Sequence, residues 1–126
     1  MYHVEINNKG GFAFEVKSNG YEFNINPKGE GISPSATLLA SLGSCIGVYI
    51  RKYAKDTNIN LGEFSIIVEA EFSKDKPISF KTINISVDLK NNDIDERRKK
   101  AMSIFAKSCP IHNTLKVDPE VKIEVI

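Results

Sequence analysis

The chain has 126 residues, of which 41% are hydrophobic and 26% are charged. This length and balance predict one folded domain over residues 1–126 and exclude extensive disorder. The 17 basic and 16 acidic side chains give a net charge of +1, so we expect no basic surface for nucleic acid or an anionic membrane.

The cellular compartment bears on what the two cysteines do. The N-terminal residues lack a charged segment followed by an apolar one, so no signal peptide is predicted. The most apolar stretch, residues 38–50, is interrupted by serine and glycine and is too short to span a bilayer. We therefore expect a cytoplasmic protein in which Cys45 and Cys109 form no permanent structural disulfide. They are then buried apolar residues, metal ligands or redox groups.

The first third of the chain alternates apolar and polar residues, which predicts three β-strands. The alternation covers residues 2–6, 12–16 and 21–25. Asn19-Gly20 lies between the last two strands and favours a type I′ hairpin turn, because both residues tolerate positive φ. Residues 27–34 are rich in proline and glycine and are predicted to form a loop.

A long helix is predicted from Pro34 to about residue 56, with Ser33 as its N-cap. One face carries larger side chains at helical spacing, namely Leu38, Leu42, Cys45, Tyr49 and Tyr53. A second stripe contains only small residues, namely Ala36, Ala40, Gly43 and Gly47. Because each glycine costs a helix roughly 1 kcal/mol, we interpret this stripe as the close approach of another backbone, from a packed helix or a partner subunit.

The rest of the chain predicts two longer strands, a helix and a final strand, so the fold class is α+β. Regular alternation over residues 64–73 and 82–90 predicts an antiparallel pair with one buried face. Asp93 and Glu96 resemble a capping box that opens the second helix. Cys109 precedes Pro110, which predicts a break at Cys109 and a new short helix from Pro110. Alternation predicts a last strand at Val121, Ile123 and Val125.

The local surroundings of the two cysteines differ. Cys109 is expected at a helix N-terminus, where free N–H groups lower a thiol pKa, and His112 lies on the same face. The same sequence is equally compatible with a small buried thiol beside an ordinary surface histidine. Cys45 lies on an apolar helix face, where cysteine is most often part of the core. A zinc site would need both thiols, His112 and a ligand such as His3, and no second pair has ligand spacing.

Two segments resemble a known family. The segment from Ser33 to Cys45, which ends in Ala-Ser-Leu-Gly-Ser-Cys, resembles the pattern at the first cysteine of the OsmC/Ohr superfamily of osmotically inducible and organic hydroperoxide resistance proteins. The segment from Cys109 to Leu115, which begins Cys-Pro-Ile-His, is similar to the Cys-Pro-Val motif at the family's second cysteine. Both occur in the family's order, with two strands and a helix between them, so the resemblance covers nearly the whole chain.

The resemblance implies an OsmC-like fold in which antiparallel sheets pack around a central cysteine-bearing helix in an intertwined homodimer. It also implies reduction of organic hydroperoxides, with Cys45 as the peroxidatic and Cys109 as the resolving cysteine. The sulfenic acid on Cys45 would condense to a disulfide, which a cellular dithiol would reduce. No metal or organic cofactor is implied. We give this assignment precedence over the local preference for Cys109, because tertiary neighbours can activate a thiol in mid-helix.

Two positions depart from the peroxidase members of that family. Their glutamate early in the cysteine helix corresponds to Ala36, and their activating arginine has no counterpart, because no arginine precedes Cys45. A cation is needed to lower the pKa of a peroxidatic thiol. The candidate substitutes are the cations Lys9, Lys17, Lys28 and His112 and the carboxylate Glu30. Two alternatives stay open, a non-catalytic dimer that binds a small apolar ligand beside inert cysteines and a structural fold with both thiols buried.

Overall fold

The computed structural model describes all 126 residues and has the predicted α+β fold. Its elements in chain order are β1 (Glu5–Asn7), β2 (Phe14–Ser18), β3 (Tyr21–Ile25), α1 (Pro34–Asp56), β4 (Ser65–Phe72), β5 (Phe80–Asp88), α2 (Glu96–Ala106) and α3 (Pro110–Val117). They divide into an N-terminal unit, Met1–Ala40, and a C-terminal unit, Ser41–Ile126. The boundary falls within α1, and both cysteines belong to the C-terminal unit.

The N-terminal unit is an antiparallel meander in the order β1-β2-β3. Asn19 and Gly20 have φ values of 53° and 83°, which confirms the predicted turn with two positive φ angles. Cross-strand register and strand alternation place the apolar side chains on one face, namely Ile6, Phe14, Val16, Tyr21, Phe23 and Ile25. Only Val16 is buried. Within the N-terminal unit, the apolar face of this sheet therefore has no covering layer.

Helix α1 begins as predicted, because the Ser33 hydroxyl accepts a hydrogen bond from the Ala36 N–H at 3.1 Å. Its buried side chains recur every four residues, namely Leu42, Ile46, Ile50 and Ala54. Cys45, Tyr49 and Tyr53 are half-buried beside them. Leu38, which was expected on the apolar face, is exposed. The apolar face of α1 is thus centred one residue further along than the sequence predicted.

The two glycines of α1 lie against strand β4. A Cβ atom on Gly43 would lie 2.9 Å from Cγ2 of Val68, and one on Gly47 would lie 3.1 Å from Cδ1 of Ile66. Within this chain the two glycines therefore meet strand side chains and not the helix backbone that was one of the expected neighbours. Branched strand side chains in the same unit occupy the space that larger helix residues would need.

The C-terminal unit packs its helices on the antiparallel pair β4-β5. The register joins Val68 to Ile85, and a bulge lies between Ala70 and Phe72. One hydrophobic cluster holds the buried residues together, namely Leu42, Ile46, Ile50, Ala54, Leu61, Met102, Ala106 and Cys109. The second cysteine is therefore part of the main core.

Two polar side chains fasten the loop that joins α1 to β4. Arg51 donates to the carbonyl oxygens of Leu61 and Gly62 at 2.6 and 2.7 Å, and its guanidinium lies 4.8 Å from the Phe64 ring centroid. The Asn92 side chain also accepts a hydrogen bond from the Gly62 N–H at 2.7 Å and donates one to the Glu63 carbonyl oxygen at 2.8 Å. This loop is thereby tied to both α1 and the segment that precedes α2.

The start of α2 differs from the prediction by two residues. The N-cap is Asp95, whose carboxylate accepts from the Arg98 N–H at 2.8 Å, and the helix begins at Glu96. Asp93 therefore does not cap the helix. The reason is that Ile94, expected on the helix stripe, is buried ahead of the first turn, so the next carboxylate reaches the free N–H groups.

The predicted last strand does not form within this chain. Residues 118–126 have no regular secondary structure, and Val121, Ile123 and Val125 are exposed, Ile123 by 87%. An alternating sequence needs a neighbouring strand to satisfy its backbone N–H and C=O groups. No strand of this chain pairs with the segment, so alternation alone did not predict its structure.

Candidate thiol site

Cys109 is the N-cap of α3, as the Cys109-Pro110 step predicted. Its φ of −54° and ψ of 123° lie outside the helical region, and Pro110 occupies the first turn. The Cys109 Sγ accepts a hydrogen bond from the backbone N–H of His112 at 3.4 Å. The residue is 0% exposed. A thiol in the usual place of a capping hydroxyl is therefore sealed inside the core.

Burial raises the pKa of the Cys109 thiol above its ordinary value of 9.0, and a hydrogen bond with the Cys45 thiol raises it further. The backbone N–H groups of His112 and Ile111 lower the pKa, but by less. The sequence-based expectation of a lowered pKa at this helix end is therefore wrong. Removing a thiolate from water outweighs the stabilisation that two backbone hydrogen bonds provide. Cys109 is consequently a protonated thiol at neutral pH.

Cys45 lies on α1, where it packs against the core cluster that contains Cys109, and its thiol is one of the groups that raise the pKa of the Cys109 thiol. Both cysteines are free thiols, and Cys45 is only partly buried. The fold thus brings together two sulfur atoms from distant parts of the sequence and leaves one of them accessible. A reagent from solution meets Cys45 before Cys109.

Aromatic side chains continue from Cys45 along α1. The rings of Tyr49 and Tyr53 each lie 5.9 Å from the Phe105 ring of α2. Lys52 places its Nζ 4.5 Å from the Tyr49 centroid. Lys52 was missed in the sequence, because all the lysines considered precede Cys45. Its spacing of seven residues from Cys45, two helical turns, was the available signal.

His112 lies beside Cys109, but the hydrogen bond to the sulfur comes from its backbone. The ring Nδ1 is buried and has no hydrogen-bond partner. The imidazole therefore has no hydrogen bond at Nδ1 that would explain its burial.

Two of the remaining candidate auxiliary residues, Lys9 and Glu30, belong to the N-terminal unit. They line one polar cavity of about 230 Å³, and the Lys9 ammonium lies 3.3 Å from the carboxylate of Glu15. Within the N-terminal unit, the structure therefore brings Lys9 and Glu30 to one site.

Arg51 is the arginine closest in sequence to Cys45, and the α1–β4 loop already holds its guanidinium. No group of three or more His, Cys, Asp or Glu side chains is placed to hold a metal ion. No helix has the combined length and hydropathy of a bilayer-crossing segment.

The fold has a three-stranded meander, a long cysteine helix, a strand pair and two further helices, which is the arrangement of an OsmC-like fold. Comparison with known proteins identifies the family. Residues 27–124 match the family model described as OsmC-like protein, so the chain belongs to the OsmC-like family. No curated protein matches the chain in sequence.

Solved structures share this fold at low sequence identity. An OsmC-like protein from Mycoplasma pneumoniae has a TM-score of 0.79 and 21% identity over 93% of this chain and 88% of that chain. An organic hydroperoxide resistance protein OsmC from Legionella pneumophila has a TM-score of 0.67 and 18% identity, with 93% and 90% covered. The organic hydroperoxide resistance protein OhrB of Bacillus subtilis has a TM-score of 0.64 and 22% identity, with 98% and 96% covered. These similarities establish the fold.

Proposed function

We propose that this chain is a thiol-dependent redox protein that reduces organic hydroperoxides through Cys45 and Cys109. The observation that carries the proposal is the pair of free thiols at one hydrophobic cluster, one partly exposed and one enclosed. Membership of the OsmC-like family supports it, and the names of the Legionella and Bacillus proteins support the substrate class. A cellular dithiol is the proposed reductant.

In the first step, the Cys45 thiolate attacks the terminal oxygen of the hydroperoxide. The O–O bond breaks, the alkoxide leaves and takes a proton to become the alcohol, and Cys45 becomes a sulfenic acid. Cys45 suits this role because it is the accessible thiol of the pair. Lys52, two turns along the same helix, is the proposed source of positive charge for the departing alkoxide.

In the second step, the Cys109 sulfur attacks the Cys45 sulfur, the S–O bond breaks and water leaves. An intramolecular disulfide results. The dithiol then reduces this disulfide by thiol exchange through a mixed disulfide, which restores both thiols. The enclosed position of Cys109 suits a resolving cysteine, because it contacts Cys45 but does not meet the oxidant directly.

Dithiol-dependent consumption of cumene hydroperoxide tests the proposal in wild type, Cys45→Ser and Cys109→Ser. We expect Cys45→Ser to abolish turnover, because no thiolate remains to attack the O–O bond. Cys109→Ser should accumulate the sulfenic acid, which dimedone traps. Mass spectrometry after one equivalent of hydroperoxide should find a Cys45–Cys109 bond in wild type alone. Equal turnover by all three proteins would disprove the proposal.

Alkylation tests the assigned difference between the thiols. We expect iodoacetamide to modify Cys45 at neutral pH while Cys109 stays unmodified in the folded protein. Because its pKa is raised, Cys109 should react only at a more alkaline pH than an ordinary cysteine. Peptide mapping across a pH series measures both sites. Modification of Cys109 before Cys45 would exchange their proposed roles.

We also infer that the active form is a homodimer. The apolar face of the N-terminal sheet is largely exposed, and uncovered apolar faces of this kind mark interaction surfaces. The alternating C-terminal segment has no partner strand in its own chain, so a second copy can supply both the missing strand neighbour and the missing cover. Light scattering across a concentration series tests this, and a monomer at micromolar concentration would contradict it.

A second candidate is a non-catalytic dimer that binds a small apolar ligand. One observation favours it, a cleft of about 450 Å³ in the C-terminal unit whose lining includes Ile50, Val87, Leu89 and Met102. This candidate predicts saturable binding of a fluorescent fatty acid and no hydroperoxide consumption. The turnover assay above therefore separates the two candidates.

A further inference from the structure

The imidazole of His112 stands out among the polar groups of the molecule. Its Nδ1 is the only buried side-chain nitrogen or oxygen without a hydrogen-bond partner. Buried polar atoms in native proteins almost always find partners, and the exceptions call for an explanation such as a catalytic role. The position of His112 suggests what that role is.

His112 is the third residue of α3, and Cys109 is its N-cap. Side chains on a helix lean toward its N-terminus, and a residue at this position commonly reaches back to the N-cap backbone N–H. Here that N–H already donates to the carbonyl oxygen of Ala106 at 3.2 Å. The other hydrogen-bond donor of the N-cap residue is the Cys109 thiol, so its proton is the one that the imidazole can reach.

The resolving step needs that proton to be removed. The attacking species in thiol chemistry is the thiolate, but burial and the Cys45 contact keep Cys109 protonated. The residue is fully enclosed, so bulk water cannot serve as the proton acceptor. Imidazole is the side chain best suited to accept a proton near neutral pH.

We propose that His112 is the general base that takes the proton from the Cys109 thiol as the disulfide forms, an inference that rests on the proposed redox role of the two cysteines. The Cys109 sulfur supplies the electron pair of the new S–S bond and is oxidised. The Cys45 sulfur is reduced as its S–O bond breaks and hydroxide departs. The proton taken by Nδ1 passes to that hydroxide, so one water is released and His112 returns to its starting state.

A disulfide reagent isolates this step from peroxide chemistry. 5,5′-Dithiobis(2-nitrobenzoate) reacts with accessible Cys45, which forms a mixed disulfide and releases one thionitrobenzoate. Cys109 then attacks the Cys45 sulfur and releases the second thionitrobenzoate. Stopped-flow absorbance separates the two releases. Cys109→Ser provides the reference, because it should give the first release only.

His112→Gln is the test variant, and Asn113→Ala, at the next and exposed position, is the matched control. We expect His112→Gln to leave the first release unchanged and to slow the second by about 100-fold, the lower range for loss of a general base. Asn113→Ala should behave as wild type in both. Unchanged rates in His112→Gln would overturn the proposal, and so would an equal slowing of both releases, which indicates a structural role. Thermal unfolding verifies the fold, with His112→Asn as the replacement if His112→Gln does not fold.

The hydroperoxide reaction gives the second readout. In His112→Gln, one equivalent of cumene hydroperoxide should leave a sulfenic acid on Cys45 that dimedone traps in larger yield than in wild type. If hydroperoxide does not oxidise wild-type Cys45 but the second thionitrobenzoate release still depends on His112, the hydroperoxide function fails and the role of His112 stands. If wild type never gives the second release, both fail.

Discussion

The two units of this chain bury their apolar residues to very different degrees. In the C-terminal unit, three helices and a strand pair enclose a continuous cluster that includes Cys109. In the N-terminal unit, an equally regular strand pattern leaves only Val16 buried. Regular alternation therefore predicts a sheet in both units, but a core forms only where a second layer covers the apolar face.

The largest expected effect lies in the C-terminal core. Ile50→Ala should lower the free energy of unfolding by about 2–5 kcal/mol, because it leaves a cavity in a closely packed cluster. Val16→Ala should lower the free energy of unfolding by less, since fewer neighbours surround Val16. The exposed Ile104 provides the control, because Ile104→Ala should change stability by less than about 0.5 kcal/mol. Urea denaturation measures all three, and equal losses at Val16 and Ile50 would contradict the comparison.

The next effect concerns the uncovered sheet face. Ile6→Asp places a charge on that face and should weaken the proposed dimer at least about tenfold, since an unpaired charge is costly to bury at an interface. Asn7→Asp adds the same charge to the opposite face of β1 and should leave assembly unchanged. Light scattering at several concentrations measures both. Equal dimer dissociation constants for Ile6→Asp and Asn7→Asp would show that this face is not the interface.

A smaller effect tests how closely α1 lies on β4. Gly43→Ala should destabilise the fold by about 1 kcal/mol, because crowding against Val68 outweighs the better helix propensity of alanine. Gly47→Ala should be close to neutral, since the atom it meets is the flexible end of the Ile66 side chain. Thermal unfolding compares the two variants. A stabilising Gly43→Ala would mean that the helix and the strand are further apart.

The smallest effect tests the start of α2. Asp95→Ala removes the N-cap hydrogen bond and should cost about 1 kcal/mol or less at this exposed site. Asp93→Ala should have little effect, although the sequence alone made Asp93 the expected cap. The two variants can be compared by urea denaturation. A larger loss of stability in Asp93→Ala than in Asp95→Ala would identify Asp93 as the N-cap.

The features that the sequence predicted correctly depend on residues that are adjacent in the chain. Asn19-Gly20 and the Cys109-Pro110 step act through the φ and ψ angles that one or two residues allow, so their consequences hold in any surroundings. The Ser33 cap belongs to the same group. The order of strands and helices followed from such local signals together with the alternation of apolar residues.

The features that the sequence did not predict depend on distant residues. The pKa of Cys109 is raised because the core closes around it and α1 brings Cys45 to it. Val68 occupies the space beside Gly43, although 25 positions separate them in the sequence. The C-terminal alternation lacks the strand that it would need for pairing. Each case required a partner whose position only the three-dimensional fold determines.

The fastened loop between α1 and β4 has a consequence for hydrogen exchange. Gly62 is exposed, and an exposed backbone amide ordinarily exchanges its hydrogen with solvent rapidly. Its N–H is held by Asn92, and its carbonyl oxygen by Arg51. Deuterium uptake at Gly62 should therefore be slow for a surface glycine, and Asn92→Ala should accelerate it without any change at the thiols. A single surface amide thus reports whether this loop stays fastened to the segment that precedes α2.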